Sequence, residues 1–277
     1  MAEYNCTDTA AFKGVWVFCE QRQGKMMPTT FELISEGRKL ANELGVELCG
    51  ILLGDNVDGI AAELGEYGAD KVYVYNSPLL KDFTTDAYTK VIVEAVEELK
   101  PEVLLFGASN IGRDLAPRCA ARLHTGLCAD CTHLDVDVEK YKAFLKTTST
   151  MDVDNMKFDE GTHLKMTRPA FGGHLMATII CPRFRPQMST VRPGVMQRAP
   201  FDQAKADKVI VEKYPVELAA SVVGDDDAVR AKAHGVLGVF RVQDALDDHG
   251  ALPEGANPLQ VFPGNGWVEV GAQVTHV

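Results

Sequence analysis

The first half of the chain alternates short apolar runs with longer segments in which apolar residues recur at helical spacing. The apolar runs, each typical of a buried strand, are 15–19, 46–53, 71–75 and 103–107. The segments that follow them predict helices over 31–44, 60–65, 85–99 and 112–123. Four strand–helix units in a row predict an α/β fold, with a mostly parallel sheet and helices on both of its faces.

This alternation ends near Gly126, and the pattern that follows is typical of antiparallel structure. Apolar and polar residues alternate just after Gly126, as in a half-exposed strand, and the polar stretch 140–161 predicts a hairpin or a surface insertion. An extended run over 164–169 and an apolar strand over 174–181 come next. Residues 182–193 contain several prolines and predict irregular structure. We therefore expect antiparallel additions around residues 127–195.

The stretch 165–194 contains Arg-Pro steps at Arg168, Arg185 and Arg192. Proline favours extended geometry in the residue before it, so these three arginines are predicted to lie on extended backbone. Such an arginine can present its guanidinium to an anion or to an electron-rich ring. A surface salt bridge is the alternative for Arg168, and the residues alone do not decide between the two.

Composition narrows the classes of function. The formal net charge is -11 and no block of Lys and Arg stands out, which argues against binding to nucleic acid or to an anionic membrane. The amino terminus lacks the pattern of a signal peptide, and no apolar run approaches about 20 residues, so a cytoplasmic location is predicted. No Ser-His-Asp, Cys-His or paired-carboxylate arrangement supports nucleophilic catalysis, and no catalytic residue is assigned.

The seven cysteines are an odd number, and several lie in apolar runs, which indicates reduced thiols in the core. Cys128 and Cys131 form a lone C-x-x-C motif. No second Cys or His pair follows at the spacing of a zinc site. A zinc-binding or redox role for this pair is therefore the minor alternative to buried thiols, and no metal site is predicted.

The turn from Gly107 to Asp114 has half of a phosphate-loop signature, since two glycines stand five residues apart after a strand. The Lys and the Ser or Thr that complete this signature are replaced by Arg113 and Asp114. Two interpretations stay open at this point: a corner in which Asp114 complements the start of a helix, or a site for an anion.

Three long motifs carry a resemblance to a known family: VWVFCEQRQGK, VLLFGASNIGRDLAPRCAARLHTGLCADCTHLDVD and TRPAFGGHLMATIICPRFRPQMSTVRPGVM. Together they resemble the α subunit of electron-transfer flavoprotein over about residues 12–200. The resemblance implies a nucleotide-hydrolase-like α/β domain, a heterodimer with a β subunit, and FAD as the redox group. It also implies electron transfer between acyl-CoA dehydrogenases or NADH and a downstream acceptor.

The resemblance also implies a flavin-facing residue. In members that bifurcate electrons, the arginine of the TRPAFGG motif is thought to approach a flavin held by the β subunit, and Arg168 matches this position. The rest of that motif would form its supporting loop, namely Thr167, Pro169, Phe171, Gly172 and Gly173. A fixed cation there would favour negative charge on a reduced flavin.

The tail departs from the family, because the signatures of its carboxyl-terminal FAD domain do not occur after Gly194. The predicted organisation is a family domain over 1–200, a connector over 201–232 and an atypical tail over 233–277, which contains no Lys and one Arg. The tail is expected to be a truncated or frame-altered FAD domain, a replacement domain, or a connector folded onto the first domain. FAD binding by this chain alone is therefore in doubt, and a nucleotide-binding or scaffold module without redox activity is the alternative function.

Overall fold

The structure is a computed structural model that describes residues 4–149, 152–153, 163–170, 172, 175–202, 205 and 208–218, and the backbone of 273–276. The strands are β1 (Val15–Phe18), β2 (Gln21–Arg22), β3 (Lys25–Met26), β4 (Leu48–Gly54), β5 (Lys71–Asn76), β6 (Val103–Gly107), β7 (Leu127–Cys131), β8 (His133–Asp135), β9 (Lys165–Ala170), β10 (Leu175–Ile179), β11 (Gln187–Val191), β12 (Ile210–Tyr214) and β13 (Gln273–His276). The α-helices are α1 (Pro28–Leu44), α2 (Thr85–Leu99), α3 (Asn110–Arg122) and α4 (Val138–Thr148), and 3-10 helices span Thr9–Ala11, Asp58–Tyr67 and Pro78–Leu80.

The main sheet has seven strands in the order β12-β5-β4-β1-β6-β11-β7, and all neighbouring strands are parallel. Its two faces are buried under different helices. Val15 and Val17 of β1 pack with Leu33 of α1, whereas Trp16 and Phe18 pack on the opposite face in the core cluster that contains residues of α2 and α3. The predicted α/β fold is confirmed. The second predicted helix is present as the 3-10 helix Asp58–Tyr67.

The antiparallel part is smaller than expected. Strands β8, β9, β10 and β13 form an antiparallel sheet, but β7 and β11, from the same part of the sequence, belong to the parallel sheet. The prediction of irregular structure over 182–193 is thus wrong for Gln187–Val191, which is a fully buried strand between β6 and β7. Two of its polar side chains make hydrogen bonds inside the protein: Gln187 Oε1 accepts from Leu164 N at 2.9 Å, and Thr190 Oγ1 accepts from Asp130 N at 2.9 Å.

The polar stretch 140–161 begins in a helix, so the expectation of a hairpin or insertion is wrong for its first residues. Helix α4 starts at Val138 and is capped by Asp137, whose carboxylate accepts a hydrogen bond from Lys140 N at 2.9 Å. Tyr141 and Leu145 are its buried residues, four apart on one face. Residues 154–162 lie outside the described part of the chain.

Strand β12 lies in the predicted connector and pairs with β5 at the edge of the main sheet. The division at residue 200 stays a prediction. Apart from the backbone of Gln273–His276, which pairs with β10, the tail from 233 onward lies outside the described residues. Within the part that the structure describes, no helix is both long enough and apolar enough to cross a membrane.

Candidate functional site

Arg168 lies on the face of β9 that packs toward the main sheet. Side chains two residues apart on a strand share a face, so Met166 and Arg168 point the same way. Met166 is buried in the same core cluster as Cys128 and Cys131, and the Cys128 thiol lies 3.9 Å from the carbonyl oxygen of Met166. The side chain of Arg168 therefore lies between the antiparallel sheet, to which β9 belongs, and strand β7 of the main sheet.

Arg168 is half-buried, and its Nε is buried without a hydrogen-bond partner in the described part of the chain. Guanidinium groups in proteins are normally hydrogen-bonded, so this Nε–H is a donor that could bind an acceptor supplied from outside the described residues. The positive charge of Arg168 also reaches Cys131. The neighbouring Cys128 thiol and burial raise the pKa of Cys131, and Arg168 opposes this rise only in part. Cys131 is therefore a neutral thiol, not a competing anion.

The other residues of the predicted loop have separate positions. Thr167 is buried on the opposite face of β9, where its Oγ1 lies 2.8 Å from Oγ1 of Thr178 and joins β9 to β10. Pro169 is half-buried and lies opposite Met176. Gly172 is exposed and has a φ of 66°, a left-handed conformation that favours glycine.

Phe171 and Gly173 lie outside the described residues. The structure thus brings Thr167, Arg168 and Pro169 together on β9, next to the turn at Gly172. The flavin-facing role of Arg168 and the supporting role of the loop stay predictions.

The other two arginines of the Arg-Pro steps differ from each other. Arg185 is almost fully buried and donates from Nη1 to the carbonyl oxygens of Cys181 and Phe184, both at 3.0 Å. Burial lowers its pKa, and the nearby Glu102 opposes that change. Its role is structural. The side chain of Arg192, in contrast, is 46% exposed just beyond the end of β11.

Asp130 joins Arg192 to Arg113, a relationship that the sequence did not indicate. Asp130 Oδ1 lies 3.0 Å from Nη2 of Arg113, and Oδ2 lies 3.9 Å from Nη2 of Arg192. These are ion pairs, and the first lacks the angle of a hydrogen bond. The three residues are far apart along the chain.

The turn from Gly107 to Asp114 is occupied by the chain itself. Ser109 caps α3, and its Oγ accepts from Gly112 N at 3.1 Å and donates to Oε2 of Glu20. Glu20 is only 5% exposed and also pairs with Arg22 at 3.0 Å. Since β1 is flanked by β4 on one side and β6 on the other, Glu20 and Ser109 lie at the point where the strand order reverses, the usual ligand position in such sheets.

The two glycines of this turn have a packing role. A Cβ on Gly112 would lie 1.8 Å from the carbonyl oxygen of Gly107, so only glycine lets α3 start this close to β6. Asp114 contacts Thr85 Oγ1 and lies 3.6 Å from Arg118 Nε, which directs its carboxylate toward α2 and along α3.

Comparison with known proteins shows which family the chain belongs to. A sequence model of the electron transfer flavoprotein domain matches residues 15–144 and 142–217. The chain belongs to the electron transfer flavoprotein family. The matched segments include all seven strands of the main sheet, together with Arg168, Asp130 and Glu20.

Similar proteins include subunits of electron-transfer complexes. The chain is 65% identical over 216 residues to the acryloyl-CoA reductase electron transfer subunit beta of Anaerotignum propionicum, covering 78% of this chain and 59% of that protein. It is 47% identical over 212 residues to the electron transfer flavoprotein subunit alpha of Clostridium acetobutylicum, covering 76% and 57%. It is 50% identical over 209 residues to protein FixB of Clostridium saccharobutylicum, covering 76% and 55%. The predicted resemblance is confirmed, and the chain spans less than two thirds of the length of each of these relatives.

Proposed function

We propose that this chain acts as the α subunit of an electron-transfer flavoprotein. In this proposal it forms a heterodimer with a β subunit, works with FAD, and passes electrons between a flavin-dependent dehydrogenase or NADH and an acceptor. The family match over residues 15–217 carries the proposal. An acyl-CoA dehydrogenase as the donor, a part in fatty acid β-oxidation and a cytoplasmic location belong to the same proposal.

Arg168 is the residue of this chain that fits a flavin held by the partner subunit. Among the described residues its Nε has no acceptor, and the Thr167–Thr178 contact fixes the strand from which it extends. A bound flavin would supply the redox centre. The contribution of Arg168 would be a positive charge and a hydrogen-bond donor held in place before the flavin is reduced, which favours negative charge on the ring.

The alternative, a nucleotide-binding or scaffold module, depends on the turn from Gly107 to Asp114. The carboxylate of Glu20 lies at the start of α3, where a phosphate would need to bind. Like charges disfavour a second anion at that position. This contact supports the electron-transfer proposal over the alternative for this chain.

The test is to purify the chain together with its β subunit and to measure flavin absorbance and reduction potential. We expect a complex that retains FAD, and a lower flavin potential in the Arg168→Ala variant. Arg168→Lys should retain part of the shift because it keeps the charge but loses the planar donor array. Arg122→Ala, on the exposed side of α3, is the control. Absence of both a complex and flavin absorbance after FAD is added would contradict the proposal, and an unchanged potential would remove the role of Arg168.

A further inference from the structure

We propose that Arg113 and Arg192, held by Asp130, form a phosphate-binding rim beside Arg168, and that this rim receives the phosphate groups of a nucleotide held by the partner subunit. The three residues Arg113, Asp130 and Arg192 are called the arginine rim. The inference rests on the proposed function for the presence of a partner-held nucleotide. The rim itself is argued from the contacts below.

Arg113 and Arg192 are anchored at the carboxyl ends of β6 and β7 by two different contacts. Arg113 donates from Nε to the carbonyl oxygen of Ala108 at 3.0 Å, so its side chain folds back over the end of β6. The backbone N–H of Arg192 donates to the carbonyl oxygen of Cys131 at 3.0 Å, which fixes Arg192 against the end of β7. The side chain of Arg113 is thus already ordered, and an ordered side chain loses little conformational entropy on binding.

Asp130 occupies an unusual backbone position that places its carboxylate between the two arginines. The pairing of β7 with β11 shifts register between Ser189 and Val191, and Asp130 has a φ of 62° there. Left-handed geometry is uncommon for residues other than glycine, although Asp adopts it more readily than most, and contacts with the surrounding structure maintain it here. The hydrogen bond from Asp130 N to Thr190 Oγ1 at 2.9 Å is one such contact.

The charge of the rim is opposite to that of the chain as a whole. Two guanidinium groups share a single carboxylate, so the rim carries one net positive charge in a chain whose formal charge is -11. The side chains of Arg113 and Arg192 are 54% and 46% exposed, which leaves donor groups on both facing solvent. The carboxylate of Glu32, in α1, accepts from Gly194 N at 2.8 Å.

The rim is continuous with the site of Arg168 through Cys131. The carbonyl oxygen of Cys131 accepts from Arg192, and the next residue, Thr132, donates from its backbone N–H to the carbonyl oxygen of Thr167, the residue before Arg168, at 2.8 Å. A nucleotide whose ring faces Arg168 would therefore have its anionic part near Arg113 and Arg192. A diphosphate group fits better than a protein carboxylate, because the unesterified oxygens on its two phosphorus atoms can bridge two guanidinium groups, whereas a carboxylate matches one fork.

The experiment uses the purified heterodimer and compares FAD with riboflavin, which has the same ring but no phosphate. Dissociation constants are measured by equilibrium dialysis for the wild type, Arg192→Gln, Arg192→Lys and Arg113→Gln. We expect Arg192→Gln and Arg113→Gln to weaken FAD binding by about ten- to hundredfold, the value of a lost charged hydrogen bond, and to leave riboflavin binding unchanged. Arg192→Lys should give an intermediate loss.

Arg122→Gln is the matched control, because Arg122 is 48% exposed and also ion-paired, to Asp86 at 3.3 Å. Circular dichroism checks that each variant is folded. The rim proposal is overturned if FAD and riboflavin lose affinity equally, if neither changes, or if Arg192→Gln instead weakens the association of flavin-free subunits, which would identify an acidic surface of the partner as the occupant.

A wild-type heterodimer that binds no flavin would contradict the proposed function and not the rim, which is then tested with ADP as the phosphate-bearing probe. Weaker ADP binding by Arg192→Gln than by Arg122→Gln would support the rim. Equal ADP binding by the two variants, or no ADP binding by the wild type, would contradict it.

Discussion

The hydroxyl of Ser109 donates a hydrogen bond to the carboxylate of Glu20, and this contact links the carboxyl ends of β1 and β6. The position at which α/β sheets commonly bind ligands is thus filled by two side chains of the chain itself. Arg22 completes the group with a second contact to Glu20 at 3.0 Å. The side chain of Glu20 is therefore buried between these two donors.

Ser109→Ala should lower the free energy of unfolding by about 2 kcal/mol, because it removes a helix cap and also a donor to a buried carboxylate. Asp137→Ala is the matched variant, since Asp137 caps α4 at the surface and its loss should cost about 1 kcal/mol. Urea unfolding of both variants provides the measurement. A loss in Ser109→Ala no larger than that in Asp137→Ala would show that the contact to Glu20 contributes nothing.

Gly112→Ala should destabilise the protein by on the order of 3 kcal/mol, because the added methyl group would overlap the carbonyl oxygen of Gly107 and push α3 away from β6. Gly59→Ala is the control, since a Cβ on Gly59 meets no atom within 4 Å. Thermal unfolding of the two variants compares them directly. A Gly112→Ala protein as stable as Gly59→Ala would mean that the two glycines of the turn do not serve close packing.

The thiols should differ sharply in reactivity. Cys6 is partly exposed, whereas the other six cysteines are buried. Burial raises the pKa of Cys49 and of Cys119 to about 12, so neither forms a reactive thiolate near neutral pH. Ellman's reagent at pH 8 should therefore modify one thiol per native chain and seven after unfolding. The Cys6→Ser variant should show none in the native state, and fast modification of a second thiol would contradict the buried positions.

Alkaline pH should destabilise the fold through Tyr88. Its hydroxyl donates to the carbonyl oxygen of Leu80 at 3.0 Å, and burial raises its pKa to about 12, compared with about 10 when unfolded. A raised pKa means that the stabilisation is complete below pH 10 and is lost as the pH rises toward 12. The stability advantage of the wild type over Tyr88→Phe should therefore shrink by about 1 to 3 kcal/mol between pH 8 and pH 12. A constant difference in urea unfolding would argue against this.

The sequence predicts the strands and helices whose apolar residues follow a regular local pattern. It does not predict elements that are buried through contacts with distant residues. The apolar runs of β1 and β4 indicate strands by themselves. Strand β11, with the sequence QMSTV, gives no such signal, because three of its five residues are polar. Its burial depends on distant residues, since Gln187 Oε1 accepts from Leu164 and Thr190 Oγ1 accepts from Asp130. Helix α4 was missed because its buried face consists of little more than Tyr141 and Leu145.

In the candidate site, too, some residues can be predicted from the sequence and others cannot. Arg168 was found through the motif that contains it, and its place on β9 agrees with the extended backbone expected before a proline. The arginine rim had no signal, because Arg113, Asp130 and Arg192 come from a helix, a bulged strand and a loop. A contact that three separate elements create can be recognised only when their packing is known.

The position of β11 between β6 and β7 also means that the main sheet cannot be completed until late in synthesis of the protein. Strand β6 is complete at Gly107, but the strand that covers its open edge ends only at Val191. At a translation rate of about 5 to 20 residues per second, the ribosome needs roughly 4 to 17 seconds to make the intervening stretch. During this interval the nascent chain presents an unpaired, apolar strand edge of the kind that chaperones shield.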